Sequence, residues 1–441
     1  MTLAKREPVR IAVIGAGPAG LAATIYFRRL DGVELQVFEG AKELREVGAG
    51  IAINENTWRH LQKLGAAQDI EQFFTRGDGT KVAGEQRNGR TGELLLQSFQ
   101  PVDPDKPPTS RIERYKLQQA LLKQVPAGVI QLSKRLSNVI ERPEGTWLVF
   151  NGEDDKPVGP FDLVIGADGI RSAVRQYAFP DHKLFYTGKV AFRVIIPQSK
   201  VAHIKGIPEG ATFWHTKETH VYTNPLDHGL FEIATRAIIP AEEGEKVSWG
   251  QKVDKSQVVG HYNGYCDTIR AIIDAPDEWL EFAMFGGPRL ESVVQGGRIA
   301  LLGDASHPLS GAFGSGAAFA FEDAFVLSAA IDIAIHTGRD LSWALKAYDI
   351  VRSPHYKALY EILDGFANNV KEVIEAVGDD DEDAYIAETT KRNWSKKNGW
   401  IYQYDVTEVW KQWVAQNVTT PVKQSTPVEP VAASVEISAS A

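Results

Sequence analysis

The sequence predicts an α/β chain: a helix-covered parallel sheet, an antiparallel sheet inserted into it, and a helical C-terminal region. Three observations lead there. The stretch "RIAVIGAGPAGLAATIYFRRL" reads as strand, tight turn and helix, and "VELQVFEG" follows as a second strand. From about residue 181 the pattern changes to short alternating runs broken by turns. After "GRIALLGDASH" the chain reads as helix to about residue 415.

The elements follow in order. Ile11 to Ile14 are a short apolar run, and Leu21, Ala22, Ile25 and Leu30 continue at helical spacing. Strand, helix and strand make a βαβ unit, the unit of a parallel sheet. Residues 75–104 are polar and glycine-rich, an excursion from that sheet. "RIERYKLQQALLKQV" reads as a helix with Leu117, Leu121 and Leu122 on one side, and "GTWLVFN" and "FDLVIGADG" read as strands. "GKVAFRVIIP", "ATFWHT", "THVYTNP", "GLFEIATRAI" and "EWLEFAMF" have antiparallel texture. Residues 1–75, 105–180 and 297–370 are expected to form one discontinuous nucleotide-binding domain. Residues 76–104 and 181–296 form the substrate domain, and 371–417 the C-terminal helices, interrupted by the acidic "GDDDED". Residues 418–441, rich in Pro, Ser, Thr and Val, are expected to be a disordered tail.

Bulk properties narrow the function. A net charge of −9 argues against a general nucleic-acid or anionic-membrane surface. A single cysteine, Cys266, forbids an intrachain disulfide and suits a reducing compartment, where a buried structural thiol is its expected role. No signal-peptide core precedes the first strand, and no run of about 18 apolar residues occurs. A cytoplasmic enzyme, monomer or homodimer, is the expectation. No cluster with metal-ligand spacing is present, so no metal is expected.

Gly15, Gly17 and Gly20 fit G-x-G-x-x-G directly after a strand, with Ala19 inside the motif. The first glycine permits the tight turn, the second lets a pyrophosphate approach the backbone, and the third lets helix and strand pack closely. The Rossmann-like helix N-terminus then offers unpaired N–H groups to phosphates. Glu39 lies 19 residues past Gly20, where a carboxylate accepts ribose hydroxyls and repels a 2′-phosphate. NAD and FAD both remain open at this turn.

A second glycine-rich turn, "GDASHPLSGAFGSGAAFAFEDA", starts at Gly303 and decides between them. A dehydrogenase has little use for it. FAD is long, and its far half needs a holder. Asp304 at a strand end is placed for ribitol hydroxyls, and Gly314, Ser315 and Gly316 open a helix whose dipole favours the negative charge of reduced flavin.

At these residues the chain resembles the FAD-dependent aromatic hydroxylases, the salicylate and 4-hydroxybenzoate hydroxylase group, nearest the salicylate hydroxylases. The resemblance spans about residues 8–370 through three spaced motifs: the first glycine turn, "DLVIGADGIRSAVR" with Asp168–Gly169 followed by Arg171, Ser172 and Arg175, and Gly303–Asp304. It implies flavin contacts from Arg45, which precedes "VGAGI" and its Gly50, and from Arg114. It also implies that NADH or NADPH docks transiently in a cleft, since no second G-x-G-x-x-G exists. Molecular oxygen then adds to reduced flavin, and the hydroperoxide donates oxygen to an electron-rich ring. The family usually carries proline where this chain has Gly311.

Such chemistry needs a pocket that excludes water, a way to ionise a phenol and a cation for a carboxylate. Arg193, alone inside the apolar strand "VAFRVIIP", is the candidate cation, and a structural salt bridge is its competing role. His220 and Tyr222 in "THVYTNPL" are candidate phenol partners, and His215 and Arg236 are weaker candidates. His307 is expected to brace its loop. The favoured reaction is decarboxylating hydroxylation of salicylate, a small aromatic acid, to catechol. The alternatives are another hydroxybenzoate or a hydroxylated heteroaromatic acid as substrate, or an FAD reductase that never activates oxygen.

Overall fold

The computed structural model describes residues 7–44, 50–73, 80, 82–99, 110–153, 156–308, 314–394 and 399–418. Its first sheet has six strands in the spatial order Val294–Gln295, Ile299–Leu301, Leu163–Gly166, Val9–Ile14, Val33–Phe38 and Ile130–Gln131. All are parallel except the Val294–Gln295 edge. Ile11, Val13, Leu163 and Ile165 are fully buried because helices cover both faces. The Pro18–Phe27 helix carries proline at its start, where the missing N–H has no intrahelical partner to lose, and it is buried from Ala19 to Phe27. The Gly316–Thr337 helix packs beside it.

The second sheet has eight strands in the order Gln251–Asp254, Glu278–Gly286, Phe185–Pro197, Leu230–Ile238, His220–Leu226, Ala211–His215, Val82–Asn88 and Leu94–Phe99. It is antiparallel except where Ala211–His215 runs parallel to Val82–Asn88. Its outer face has a separate core of Phe192, Trp214, Phe231, Tyr262, Ile269 and Trp279. Its inner face is left for the site.

One expected helix is shorter than the sequence suggests. The helix begins at Arg114, because Ser110–Glu113 pairs antiparallel with Gly50–Ile53 instead. At the other end, Leu341–Val377 is one helix of 37 residues with Pro354 inside it. The acidic stretch after it ends in a helix start: Asp381 caps Glu382–Asn393 by accepting from Ala384 N at 3.0 Å. Asp405 caps Val406–Asn417 in the same way. Residues 419–441 lie outside the described residues.

Candidate active site

The two glycine turns abut. A Cβ on Gly303 would stand 3.0 Å from the Cβ of Ala19, so the strand ends that carry the two motifs meet. Gly15 holds φ +100°, and a side chain there would collide with the Ala167 carbonyl. A Cβ on Gly20 would run into the Gly15 carbonyl. Gly17 differs: nothing lies within 4 Å of its Cβ position. Two glycines close the turn and the middle one leaves room for a ligand. Gly17 is also the N-cap of the Pro18–Phe27 helix, with no side chain capping it, so the first-turn N–H groups face that room. Glu39 sits at the rim, its carboxylate accepting from Ala16 N at 2.8 Å and Ala41 N at 2.7 Å.

The middle motif is tied to the last. Asp168 Oδ2 accepts from Ala173 N at 2.7 Å and Val174 N at 3.3 Å. Its Oδ1 is buried with no partner among the described residues, and burial pushes the carboxyl up. Ser172 caps the next helix by accepting from Arg175 N at 2.9 Å. The buried Arg175 guanidinium donates to the carbonyls of Asp304, Ala305 and Ile170.

Asp304 itself is exposed, and its carboxylate has no hydrogen bond among the described residues. Its loop is held from below. Asp323, fully buried, accepts from Gly303 N at 3.0 Å, bonds His307 Nε2 at 2.8 Å, and accepts from Arg352 Nε at 2.8 Å and the Tyr356 hydroxyl at 2.5 Å. Burial opposes its ionisation, but Arg352 and His307 hold the carboxyl well below the usual range. Burial pushes the neighbouring Glu322 up to about 7. The adjacent acids in "FAFEDAF" were the available sequence signal for this cluster. Gly314 holds φ +63°, and its Cβ position is 3.2 Å from the Ala52 Cβ. Ser315 is buried as the N-cap of the Gly316–Thr337 helix, and no side chain caps that terminus. Arg45 and Gly311 lie outside the described residues.

These features fit FAD. Open space at Gly17, an orphaned carboxylate oxygen at Asp168, an exposed carboxylate at Asp304 and a helix start beside it form a path from one glycine turn to the other. Glu39, Gly17 and Ala19 would hold the adenosine and pyrophosphate end, and Asp304 with Gly314 to Gly316 the ribitol and ring end.

A cavity of about 1410 Å³ opens beyond that path. Ala52, Pro308 and Gly314 line it from the nucleotide side, and the inner face of the eight-stranded sheet lines it from the other. Strand pairing sets the order of side chains there. Ala191 pairs Arg236, Arg193 pairs Ala234, Tyr222 pairs Ala234, and His215 pairs His220. So Arg193, Arg236, His220, Tyr222 and His215 all reach one chamber.

Arg193 has no ion pair and no hydrogen bond among the described residues, and its Nε is buried without an acceptor. Burial and the neighbouring Arg111, Arg236 and Arg114 pull it down to about 10 despite Glu232, so it stays cationic at neutral pH. Its guanidinium lies 5.7 Å from the Phe282 ring. The carboxylate of this region, Glu232, is fully buried and pairs with Arg111 on the strand Ser110–Glu113. Glu232 also accepts from Gly50 N at 2.8 Å, and a Cβ on Gly50 would collide with it. Arg114 opens the helix beside this pair, near enough to affect Arg193.

Burial, with Arg236, His215 and Lys189 adding to it, holds His220 well below its usual range, so it is a neutral imidazole. Burial lowers His215 to about 4, and its Nε2 lies 2.6 Å from Gln86 Oε1. Burial raises Tyr222, which keeps its proton and lies under the Arg111 guanidinium at 4.8 Å. Cys266 is half-buried and free. No metal-binding cluster exists among the described residues, and none of their helices is long and apolar enough to cross a membrane.

Fold and site together define an FAD-binding α/β protein with an aromatic-lined chamber next to its second glycine turn. The FAD binding domain family model matches residues 8–362, and the chain belongs to that family, the FAD-dependent aromatic monooxygenases. FAD is its cofactor. A 3-amino-4-hydroxybenzoate 2-monooxygenase of Streptomyces platensis is 31% identical over 367 residues, covering 82% of this chain and 88% of the relative. A salicylate hydroxylase of Pseudomonas putida is 28% identical over 378 residues, covering 80% and 83%. A solved salicylate hydroxylase substrate complex shares the fold with a TM-score of 0.75 at 22% identity, covering 93% of this chain and 99% of that one.

Proposed function

We propose that the protein hydroxylates a phenolic aromatic acid at the expense of NADH or NADPH, with salicylate the favoured substrate and catechol the product. The observation that supports this most directly is Arg193: a guanidinium lining the chamber, its buried Nε without a partner among the described residues. A substrate carboxylate is the group such a cation calls for. The relatives whose names specify hydroxybenzoate and salicylate substrates agree with a phenolic acid.

Bound FAD, reduced by the nicotinamide nucleotide, supplies the oxygen activation. In the balanced reaction one atom of oxygen enters the ring carbon that loses carbon dioxide. The other leaves as water, and two electrons come from the nucleotide. The chain's own part is binding and proton handling. Arg193 holds the carboxylate. Neutral His220 offers a ring nitrogen as hydrogen-bond acceptor to the phenol hydroxyl, and Tyr222, still protonated, donates to the phenol oxygen. Phe213 and Tyr222 offer aromatic faces against which the substrate ring packs. The reading places the reaction in the cytoplasm, where the lone Cys266 stays reduced.

Stopped-flow reduction of the holoenzyme by each nucleotide, with and without salicylate, tests this, together with product analysis. Salicylate is expected to speed reduction and yield catechol. If it does neither but another phenolic acid does both, only the substrate assignment changes. If no phenolic acid drives oxygen uptake, the reductase reading replaces it.

A further inference from the structure

The Glu382–Asn393 helix lies beyond residue 362, where the family match ends, yet it reaches the chamber. Ile386, Thr389 and Asn393 from this helix and Trp394 at its C-cap line the cavity beside the Val82–Asn88 end of the sheet. The Trp394 ring lies 5.0 Å from the Phe213 ring and 6.3 Å from the His215 ring. Phe213 in turn lies 4.8 Å from Tyr222, so an aromatic row runs from the candidate phenol partner to the C-terminal helix. Thr389 has a buried Oγ1 with no hydrogen-bond partner among the described residues.

The helix is fastened to the sheet rather than resting on it. Lys217 pairs with Asp379 and Arg90 with Glu382, and Asn88 Nδ2 donates to Asp383 Oδ1 at 3.0 Å. Lys217 also stands 5.1 Å over the Tyr385 ring. All three fastenings join strand ends of the eight-stranded sheet to the start of the helix or the turn before it. They fix the height at which Trp394 and Thr389 meet the sheet.

We propose that this C-terminal helix is the specificity wall of the chamber: Trp394 and Thr389 set how large an aromatic ring system is accepted. The inference rests on the aromatic-acid reading above and deepens it. The candidate substrate-binding side chains sit on the sheet, so the helix wall is free to vary ring size without moving them. Apolar walls discriminate by about tenfold or more when bulk is added or removed. Removing the Trp394 indole opens the chamber at the Phe213 end, and adding bulk at Thr389 closes it.

The test uses two acids with the same ortho-hydroxy carboxylate arrangement, salicylate and the fused-ring 1-hydroxy-2-naphthoate. The holoenzyme, Trp394→Ala, Trp394→Phe and Thr389→Leu are compared by kcat/KM and by acid binding followed through flavin fluorescence. FAD content and thermal unfolding identify any variant that fails to fold. Trp394→Ala is expected to shift the ratio of the two acids about tenfold or more towards the naphthoate. Thr389→Leu should shift it towards salicylate, and Trp394→Phe should stay near the parent. Opposite signs at two positions on one wall are not what a merely structural defect produces. If one variant fails to fold, the sign at the other decides. An unchanged ratio, or a shift of the wrong sign, overturns the proposal. If the parent enzyme neither binds nor turns over either acid, the salicylate assignment falls, and the same variants are compared on the phenolic acid that does drive oxygen uptake and on its fused-ring analogue, with the same signs expected.

Discussion

The Arg175 guanidinium donates to two successive carbonyl oxygens of the last motif, Asp304 at 3.2 Å and Ala305 at 2.9 Å, although the residues stand 129 and 130 positions apart. Burial pulls this arginine below its usual range, while Asp168 and Asp304 act in the opposite direction. It is the tie between the middle and last flavin motifs. Replacing it by leucine leaves buried carbonyls without donors, which costs about 1–3 kcal/mol. Arg175→Leu should therefore lower thermal stability and weaken FAD binding by about tenfold. Titrating apoprotein with FAD alongside a denaturant melt checks both. Unchanged FAD affinity in a destabilised protein would make Arg175 a structural tie only.

Asp304 predicts the opposite balance. Its carboxylate is exposed and makes no hydrogen bond among the described residues, so the empty protein loses little when it is removed. If the ribitol of FAD lies along the proposed path, the same carboxylate would face its hydroxyls, and a charged hydrogen bond contributes about 1.5–3 kcal/mol. Asp304→Ala should raise the Kd for FAD by one to two orders of magnitude, by that same figure. The apoprotein's melting point should stay where it is. Equal affinity in variant and parent would put Asp304 outside the cofactor path.

What was legible in the sequence was what a backbone must do locally. Gly15, Gly17 and Gly20 are dictated by a turn that has to close and still admit a ligand, and that demand falls within six residues. Asp168 and Asp304 are legible because each follows within three residues of a short buried strand. The antiparallel insertion shows in its alternation. What stayed hidden depends on distance. Glu232 finds Arg111 across 121 positions, and neither neighbourhood announces the other. Arg193 could have been half of such a pair, and only the fold gives the carboxylate to Arg111. The cluster of Asp323, His307, Arg352 and Glu322 joins three separate segments in the same way. The C-terminal helix reads in the sequence only as a helix, and its reach into the chamber follows from ion pairs that no periodicity encodes.

Acid should weaken the fold in a defined window. His60 is 3% exposed, and burial, with Arg352 adding to it, lowers it to about 3. The unfolded chain binds its proton near pH 6.5 and the folded chain does not, so stability rises with pH between those values and is lost as pH falls. Each such histidine contributes up to about 1.4 kcal/mol per pH unit in that window. His60→Gln keeps an acceptor for the Tyr26 hydroxyl, which lies 3.1 Å from Nδ1 in the parent. The variant should show a shallower dependence of unfolding free energy on pH from about 6 to 4, by close to one proton. Urea melts at a series of pH values measure that slope. Parallel curves for parent and variant would show that His60 titrates normally.

Arg193 is the most exacting case, because its prediction separates charge from shape. The guanidinium lines the chamber without a hydrogen-bond partner among the described residues, and the carboxylate that acts on it, Glu232, is committed to Arg111 and Gly50. A substrate carboxylate would complete the pair, and truncating one member of a desolvated charge pair costs about 2–5 kcal/mol. Arg193→Ala should therefore raise the KM for salicylate by about thirtyfold or more, the lower end of that range. Arg193→Lys should recover only part, since lysine keeps the charge but loses the fork that matches a carboxylate. Salicylamide supplies the control, as it has nearly the same shape and no charge. Parent and Arg193→Ala should bind salicylamide alike when followed through flavin fluorescence. An equal loss for both ligands would mean that the arginine shapes the chamber instead of reading charge, and the carboxylate would then fall to the neighbouring cation, Arg236, one strand away on the same face.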